Sequence, residues 1–486
     1  MAEPGFKKVK LHIFEFDGDI IAHDIHRTRP YLIEPVDRAL LRLPAPIDEA
    51  SAVRALSQFT PDEVRESLAR LRERELLIPA DAPLPPKPGE PDFPHVVSLE
   101  LNMAEDCNLR CAYCAVGQGG FGADKAGSQH RRGVMSWEVA RQAIDLLFAE
   151  SGPAPEVHIT FFGGEALLNW AVVKKSVGYA EEQAARCGKR IAFRVVTNGT
   201  LLNEDNIAFM KRHHFKVQVS IDGTQAMHDA FRINADGSGS YAQATAHLAS
   251  LLDDYRDNVL GRATITHATL DLLKADEHLR ELGFANPRVR PVTGDDPAYG
   301  LTVDDYLRLN RDMDALARRA YGCQGAEVTD YIQPFNDYLP LLCSDYRRRI
   351  PCGAGRNMIG VSAGGEIYPC TDFTGKDAEA TRLGHVESGL DREKVRRFLQ
   401  IVDVDQKQGC RKCWARYVCG GACASVQLSN QGGLERNSGL ECIWIRHMIE
   451  RAIWLYVRAR QDKPELFFHL FRGERVLADL PGLAQG

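Results

Sequence analysis

No stretch of the chain is long and apolar enough to span a bilayer, and the first residues, MAEPGFKKVK, have no apolar core of the kind a secretory signal carries. Both absences point to the cytoplasm, where thiols stay reduced, and away from a membrane partner. An excess of basic charge is also missing. The net charge is −6, and clusters such as Arg347-Arg348-Arg349 are short enough to read as solvated surface. Nucleic acid is therefore not an expected partner. No repeat of solenoid type recurs along the chain. What is there is ordinary for a globular protein, 44% hydrophobic and 26% charged. A length of 486 residues exceeds what one core usually organises and predicts two to four domains.

Residues 1–80 read as one unit. KLHIFEFDGDIIAHDI places apolar residues in partial alternation around a DG turn, which predicts a β-hairpin. A short helix is expected from Pro35 to Leu43. Thr60-Pro61-Asp62-Glu63 is a capping box with proline at the first helical position, and Val64, Leu68 and Leu71 follow on one stripe. ELLIP closes the unit as a short strand, giving the pattern of a small winged-helix domain. Residues 81–95 form a proline-rich, stiff linker.

From 96 to 300, strand-like and helix-like stretches alternate. VVSLELNM, EVHITFFGG, IAFRVVTNG, KVQVSIDG, RATITH and PRVRPV are the strands, with helices such as Ser136–Glu150 and Leu167–Cys187 between them. This α/β order predicts a parallel sheet with helices outside and the chemistry at the C-terminal ends of its strands. Residues 301–345 read as a helical bridge. Residues 346–445 are rich in glycine and cysteine and need metal cross-links to stay ordered. An amphipathic helix around His447–Arg460 and a tail complete the chain to 486.

Thirteen cysteines in a reducing compartment argue for metal or iron–sulfur ligation rather than disulfides. Ten of them fall in two groups, three at 107–114 and seven at 352–442. Cys187 stands alone and reads as a small buried hydrophobe. In the first group, Cys107-Asn-Leu-Arg-Cys111-Ala-Tyr-Cys114 follows a predicted strand. A zinc site would want a fourth ligand at finger spacing, and none follows. Three thiolates can bind three irons of a 4Fe–4S cube and leave the fourth iron for a small molecule, whereas a purely electron-transferring cube takes four cysteines.

This loop resembles the signature of the radical S-adenosylmethionine (SAM) superfamily. The resemblance implies a partial (β/α)6 TIM-like barrel, a 4Fe–4S cluster on Cys107, Cys111 and Cys114, and SAM chelated to the open iron. One electron, supplied by a donor such as flavodoxin or ferredoxin, would break the sulfonium bond and yield a 5′-deoxyadenosyl radical. Tyr113 stands where the family has an aromatic residue beside the adenine. Phe161-Phe162-Gly163-Gly164-Glu165 matches the family's GGE motif; its glycines allow close backbone approach to a ligand, and Glu165 can accept from the SAM ammonium. Asn198 in Thr197-Asn198-Gly199, Ser220 in Ser220-Ile221-Asp222-Gly223, and Arg232 are expected on SAM's ribose and carboxylate. Ala166 replaces a proline common in relatives. No residue stands out as a general acid or base.

The second group is Cys352, then Gly365 and Cys370, then Cys410-x2-Cys413-x5-Cys419-x3-Cys423, and finally Cys442. CxxC pairs also occur in zinc ribbons, but the whole pattern resembles the SPASM domain, which holds auxiliary 4Fe–4S clusters in peptide-modifying radical SAM enzymes. That resemblance assigns Cys410, Cys413, Cys419 and Cys442 to an outer cluster, and Cys352, Cys370 and Cys423 to an inner one. The inner site is one ligand short. Either Cys343 completes it, or it is open to a substrate thiolate.

The N-terminal unit resembles the PqqD-like recognition element that captures the leader of a ribosomally made precursor peptide, by adding it as a strand to a sheet edge. The combination resembles the thioether-forming maturases, namely those of SCIFF peptides and of quinohemoprotein amine dehydrogenase. It implies three clusters and a precursor peptide or small protein as substrate. Carbon–carbon (cyclophane) linkage and formylglycine formation stand as the alternatives.

Overall fold

The computed structural model describes residues 5–84, 95–117, 133–285, 287–294, 296–323, 334–343, 346–376, 378–437 and 439–463. The N-terminal strands are β1 (Phe6–Lys8), β2 (Leu11–Phe16), β3 (Asp19–Asp24) and β4 (Arg29–Ile33). Asp17 and Gly18 both take positive φ, 54° and 83°, as a tight two-residue hairpin requires, and fold β2 back on β3. β4 adds antiparallel to β3. The helix Pro35–Arg42 follows, then Glu49–Ala55, which has no strong sequence signal, then Pro61–Glu73 with its Thr60/Glu63 capping box. β5 (Leu77–Pro79) closes the unit against β1.

The three-stranded sheet buries both faces. Ala22 and Ile33 pack with Leu40, Val64, Leu68 and Leu71 of the unit's own helices. Phe14, Phe16 and Ile21 join the main core of the molecule instead. There Arg451 lies over the Phe16 ring at 3.9 Å, and Trp454 Nε1 donates to Asp19 at 2.9 Å. The N-terminal unit is thus docked on the long helix Glu441–Asp462.

The central sheet runs β6 (Ser98–Ala104), β7 (Glu156–Gly163), β8 (Arg190–Thr197), β9 (Lys216–Ser220), β10 (Val259–Ile265) and β11 (Arg288–Pro291), side by side in chain order and all parallel. Helices Trp137–Glu150, Trp170–Cys187, Glu204–Arg212 and Leu272–Glu281 supply four of the five crossovers, and short helices between 225 and 252 supply the one from β9 to β10. These are the six strands of the expected partial barrel. One feature differs from the expected boundary at 346. β12 (Met358–Val361) pairs in parallel with β6, and β13 (Glu366–Tyr368), β14 (Gly384–His385) and β15 (Gly389–Leu390) extend the same sheet antiparallel. The cysteine-rich region therefore continues the core sheet. The sheet also curls. Arg262 on β10 lies within electrostatic reach of Asp372, which follows β13 past the opposite side.

Helix Val303–Gly322 packs against Glu441–Asp462, where Asp314 accepts from His447 and Arg451 at 2.7 and 2.5 Å. The latter helix starts earlier than the sequence suggests and buries Trp444, Met448, Ile453 and Trp454. Cys187 is exposed, not buried. It is the last residue of its helix, stopped by Gly188 in the left-handed conformation, so its side chain meets solvent. Among the described residues no helix is long and apolar enough to cross a membrane. Most of the proline-rich linker and the tail from 464 lie outside the described residues.

Candidate active site and cysteine centres

Cys107, Cys111 and Cys114 sit on the loop that leaves the C-terminal end of β6, and they lie within electrostatic reach of one another. The loop is laced to its neighbours by backbone. Gly164 N–H donates to Ala104 O at 2.7 Å and Glu165 N–H to Asp106 O at 3.2 Å. The two glycines serve this lacing. Gly163 has φ +146°, and a Cβ there would stand 2.3 Å from Ala104 O; a Cβ on Gly164 would stand 2.3 Å from Asp106 O. The close approach seen here is to the cysteine loop itself. Gly164→Ala is accordingly expected to cost about 1–3 kcal/mol and to weaken iron retention; urea unfolding and iron analysis read both.

Glu165 is buried and accepts three bonds from the chain. Oε1 takes Leu167 N–H (3.0 Å) and the Thr197 hydroxyl (2.9 Å), and Oε2 takes Asn198 N–H (2.7 Å). Burial raises its carboxyl despite these donors. A carboxylate has about four lone-pair positions, so one remains on Oε2 for a further donor. Asn198 continues the network. Its Nδ2 reaches Cys107 Sγ at 3.7 Å and Asn108 Oδ1 at 2.9 Å, while its Oδ1 accepts from Thr200 N–H and hydroxyl. Leu109 N–H also points at Cys107 Sγ, at 3.4 Å. The cysteine loop, the GGE turn and the end of β8 thus form one hydrogen-bonded platform.

A second hub lies across it. Asp222 Oδ2 accepts from the Tyr113 hydroxyl and from Arg232 Nε at 2.9 Å, and Oδ1 accepts Thr264 N–H at 2.9 Å. Arg232 also lies over the Tyr113 ring, 5.5 Å from its centroid. Arg232, expected on SAM's carboxylate, has Asp222 as its ion-pair partner. Burial pushes the Tyr113 phenol well above its ordinary range. Asp222 was visible only as part of a common turn sequence; its partners at 113, 232 and 264 come from three other segments. Ser220, at the end of β9, pairs with Arg262 of β10.

Arg262 is another residue that pattern reading missed. Gly261, Ala263 and Ile265 are buried, Gly261 against Phe284, so Arg262 faces the opposite, lumen side. There it lines a crevice that solvent reaches but protein crowds, with Arg290, Arg288, Asp372 and Arg232 around it. Desolvation and the neighbouring arginines pull its guanidinium down to about 10. Arg290 and Arg288 share one carboxylate, Asp337.

The seven later cysteines gather in two places. Cys370 lies within reach of Cys352 and Cys423, with Asp372 and Glu100 beside them. Cys419 lies within reach of Cys410 and Cys413, and Cys442 within reach of Cys419 and Cys410. Gly365 takes φ +95° at the tight turn between β12 and β13 that leads to Cys370. Cys343 ends the helix Leu339–Cys343, but its side chain lies outside the described residues.

Burial pushes the Cys107, Cys423 and Cys442 thiols up to about 12, and Cys111 and Cys419 up to about 11. Such thiols stay protonated unless a metal displaces the proton. Among the described residues no three His, Cys, Asp or Glu side chains stand close enough to hold a single metal ion. A cube places each thiolate on a different iron and spreads its donors more widely, so the all-sulfur sets suit iron–sulfur ligation.

The segment carrying Cys410 to Cys419 also contacts the N-terminal unit. Trp414 stacks on His12, with centroids 3.7 Å apart, and Arg416 donates to His26 at 3.1 Å. His23 is fully buried beside them, and its imidazole is lowered to about 3 by desolvation, His12 and Arg347.

Residues 101–261 match the family model of the radical SAM superfamily. The chain is 26% identical over 293 residues to the antilisterial bacteriocin subtilosin biosynthesis protein AlbA of Bacillus subtilis (strain 168), a match covering 59% of this chain and 57% of AlbA. It thus spans little more than half the length of that relative. It is 27% identical over 340 residues to the cysteine-type anaerobic sulfatase-maturating enzyme of Clostridium novyi (strain NT), covering 66% of this chain and 85% of that enzyme. Among solved structures, native anSMEcpe with bound AdoMet superposes with a TM-score of 0.62 at 19% identity, over 75% of this chain and 99% of that one. The same protein with AdoMet and the Cp18Cys peptide gives 0.59 at 20% identity, over 75% and 98%. The likeness to these structures is one of fold.

Proposed function

We propose that the chain, an enzyme carrying a radical SAM domain, installs a crosslink in a ribosomally made precursor peptide, joining a cysteine sulfur to a carbon of another residue. The observation that carries this reading is the platform at the end of β6, where three thiols within electrostatic reach of one another are tied to the GGE turn and to Asn198. Cys107, Cys111 and Cys114 would hold the 4Fe–4S cluster. When bound, the cluster and SAM supply a 5′-deoxyadenosyl radical that takes hydrogen from a substrate carbon.

The chain's residues do the rest. The remaining lone pair of Glu165 would receive the SAM ammonium, with Gly163 and Gly164 holding the turn in place. Asn198 and Leu109 N–H direct donors at the Cys107 sulfur. Asp222 fixes Tyr113 and Arg232 on the opposite side, next to Ser220. The lumen wall of Arg262, Arg288 and Arg290 would receive an anionic part of the peptide. It faces Asp372, beside the inner thiols Cys352, Cys370 and Cys423. That inner site and the outer one at Cys410, Cys413, Cys419 and Cys442 would hold the auxiliary clusters, which would supply a redox link to an electron-carrying partner such as flavodoxin or ferredoxin. The N-terminal sheet, docked beside Trp414, would take the peptide's leader as an added strand.

Forming a carbon–sulfur bond removes two hydrogens and consumes a thiol. With a precursor peptide encoded beside the chain's own gene as substrate, the product should be two mass units lighter and take up one fewer alkyl group from iodoacetamide. The same mass loss with an unchanged thiol count would replace the thioether by a carbon–carbon bond.

A further inference from the structure

Lys407 is fully buried, which is rare for a lysine. Its ammonium donates to the Gln427 side-chain oxygen and to Gly421 O at 3.4 Å, and both acceptors are neutral. Among the described residues no carboxylate forms an ion pair with it. Glu441 is within electrostatic reach only. A buried ammonium is costly unless negative charge lies near it. The other groups acting on Lys407 are the sulfurs of Cys410, Cys419 and Cys423.

Those three cysteines come from both centres. Cys419 belongs to the outer group and Cys423 to the inner, and only Gly420, Gly421 and Ala422 separate them, all at positive φ. Lys407 packs under this loop, and the Gly421 carbonyl accepts from Lys407, from Gln427 Nε2 at 2.6 Å and from Asn437 Nδ2 at 3.4 Å. Asn437 Nδ2 in turn reaches Cys410 Sγ at 3.7 Å.

We propose that Lys407 is the internal counter-ion of the two auxiliary centres, its ammonium offsetting the thiolate charge of Cys410, Cys419 and Cys423 and raising the reduction potential of what they hold. This rests on the reading that the seven later cysteines carry iron–sulfur clusters. Reduction adds one electron to a centre that is already anionic. A fixed cation in a dry interior favours the reduced form, and solvent ions screen it little. No proton moves and no bond changes. Electrons in the test come from a mediator poised by an electrode.

The test uses the full chain, reconstituted anaerobically, with Cys107, Cys111 and Cys114 replaced by alanine so that only auxiliary signals remain. Lys407→Met removes the charge at similar volume. Gln427→Glu keeps the lysine and places a carboxylate against it. Both variants should hold as much iron as the parent and titrate at more negative potential, while Lys407→Arg titrates close to the parent. Unshifted potentials at full iron content would overturn the proposal. So would loss of iron in both charge variants, which would mark Lys407 as a tie for the 419–423 loop alone. A parent holding no iron would overturn the auxiliary-cluster reading itself, and this inference with it.

Discussion

Alanine at Cys107, Cys111 or Cys114 is expected to abolish 5′-deoxyadenosine formation and to remove about four irons per chain. Each thiol is the only sulfur its position on the loop can offer. The loop is pinned on both sides, by the GGE backbone bonds to Ala104 O and Asp106 O and by Asn198 on Cys107, so it has little freedom to recruit a substitute. Serine in place of cysteine should fare little better, because a hydroxyl is a poor ligand for this cluster. Iron analysis and chromatography of SAM products measure both effects. A variant retaining full iron and turnover would remove that cysteine from the site. The same substitution at exposed Cys187 should change neither quantity.

The second large effect is expected at Asp222. Its carboxylate is buried and is the shared acceptor for Tyr113, Arg232 and the Thr264 amide. Asp222→Ala strands the Arg232 guanidinium, itself mostly buried, without a counter-charge. Breaking a buried pair from one side costs about 3–5 kcal/mol, because the remaining charge is uncompensated. Urea denaturation should show a loss of that size, and equilibrium dialysis should show weaker SAM binding, since Tyr113 and Arg232 lose their anchor together. Asp222→Asn keeps an acceptor for Thr264 and should lose less. A loss under about 1 kcal/mol with unchanged SAM affinity would show that the three partners hold their places without it.

Much of this architecture was legible in the sequence because it is written in local patterns. The DG turn, the Thr60/Glu63 capping box and six β-rich segments separated by helical periodicity each depend on neighbours within a few residues, and each became the element expected. Spacing also flagged the cysteine groups. What was not legible depends on partners remote in the chain. Asp222 gains its role from residues at 113, 232 and 264, and a DG dipeptide looks the same in any turn. Lys407 sits in a polar stretch and reads as surface, yet the loop 420–422 and Gln427 of the helix Ala424–Gln431 cover it. Arg262 reads as one charge in an alternating strand until Arg288 and Arg290 line up beside it on β11. β12 lies in a region without periodicity, and only its pairing with β6 shows that the cysteine-rich segment extends the core sheet. The glycines of the GGE turn were flagged for close approach; the backbone they approach lies about sixty residues earlier in the chain.

The central claim is that this platform cleaves SAM. Its most direct test is anaerobic incubation of the reconstituted full chain with SAM and dithionite, followed by quantitation of 5′-deoxyadenosine and methionine. The account predicts that both appear in equal amounts and that neither forms without reductant. An iron-loaded chain that binds SAM and yields no 5′-deoxyadenosine would contradict it.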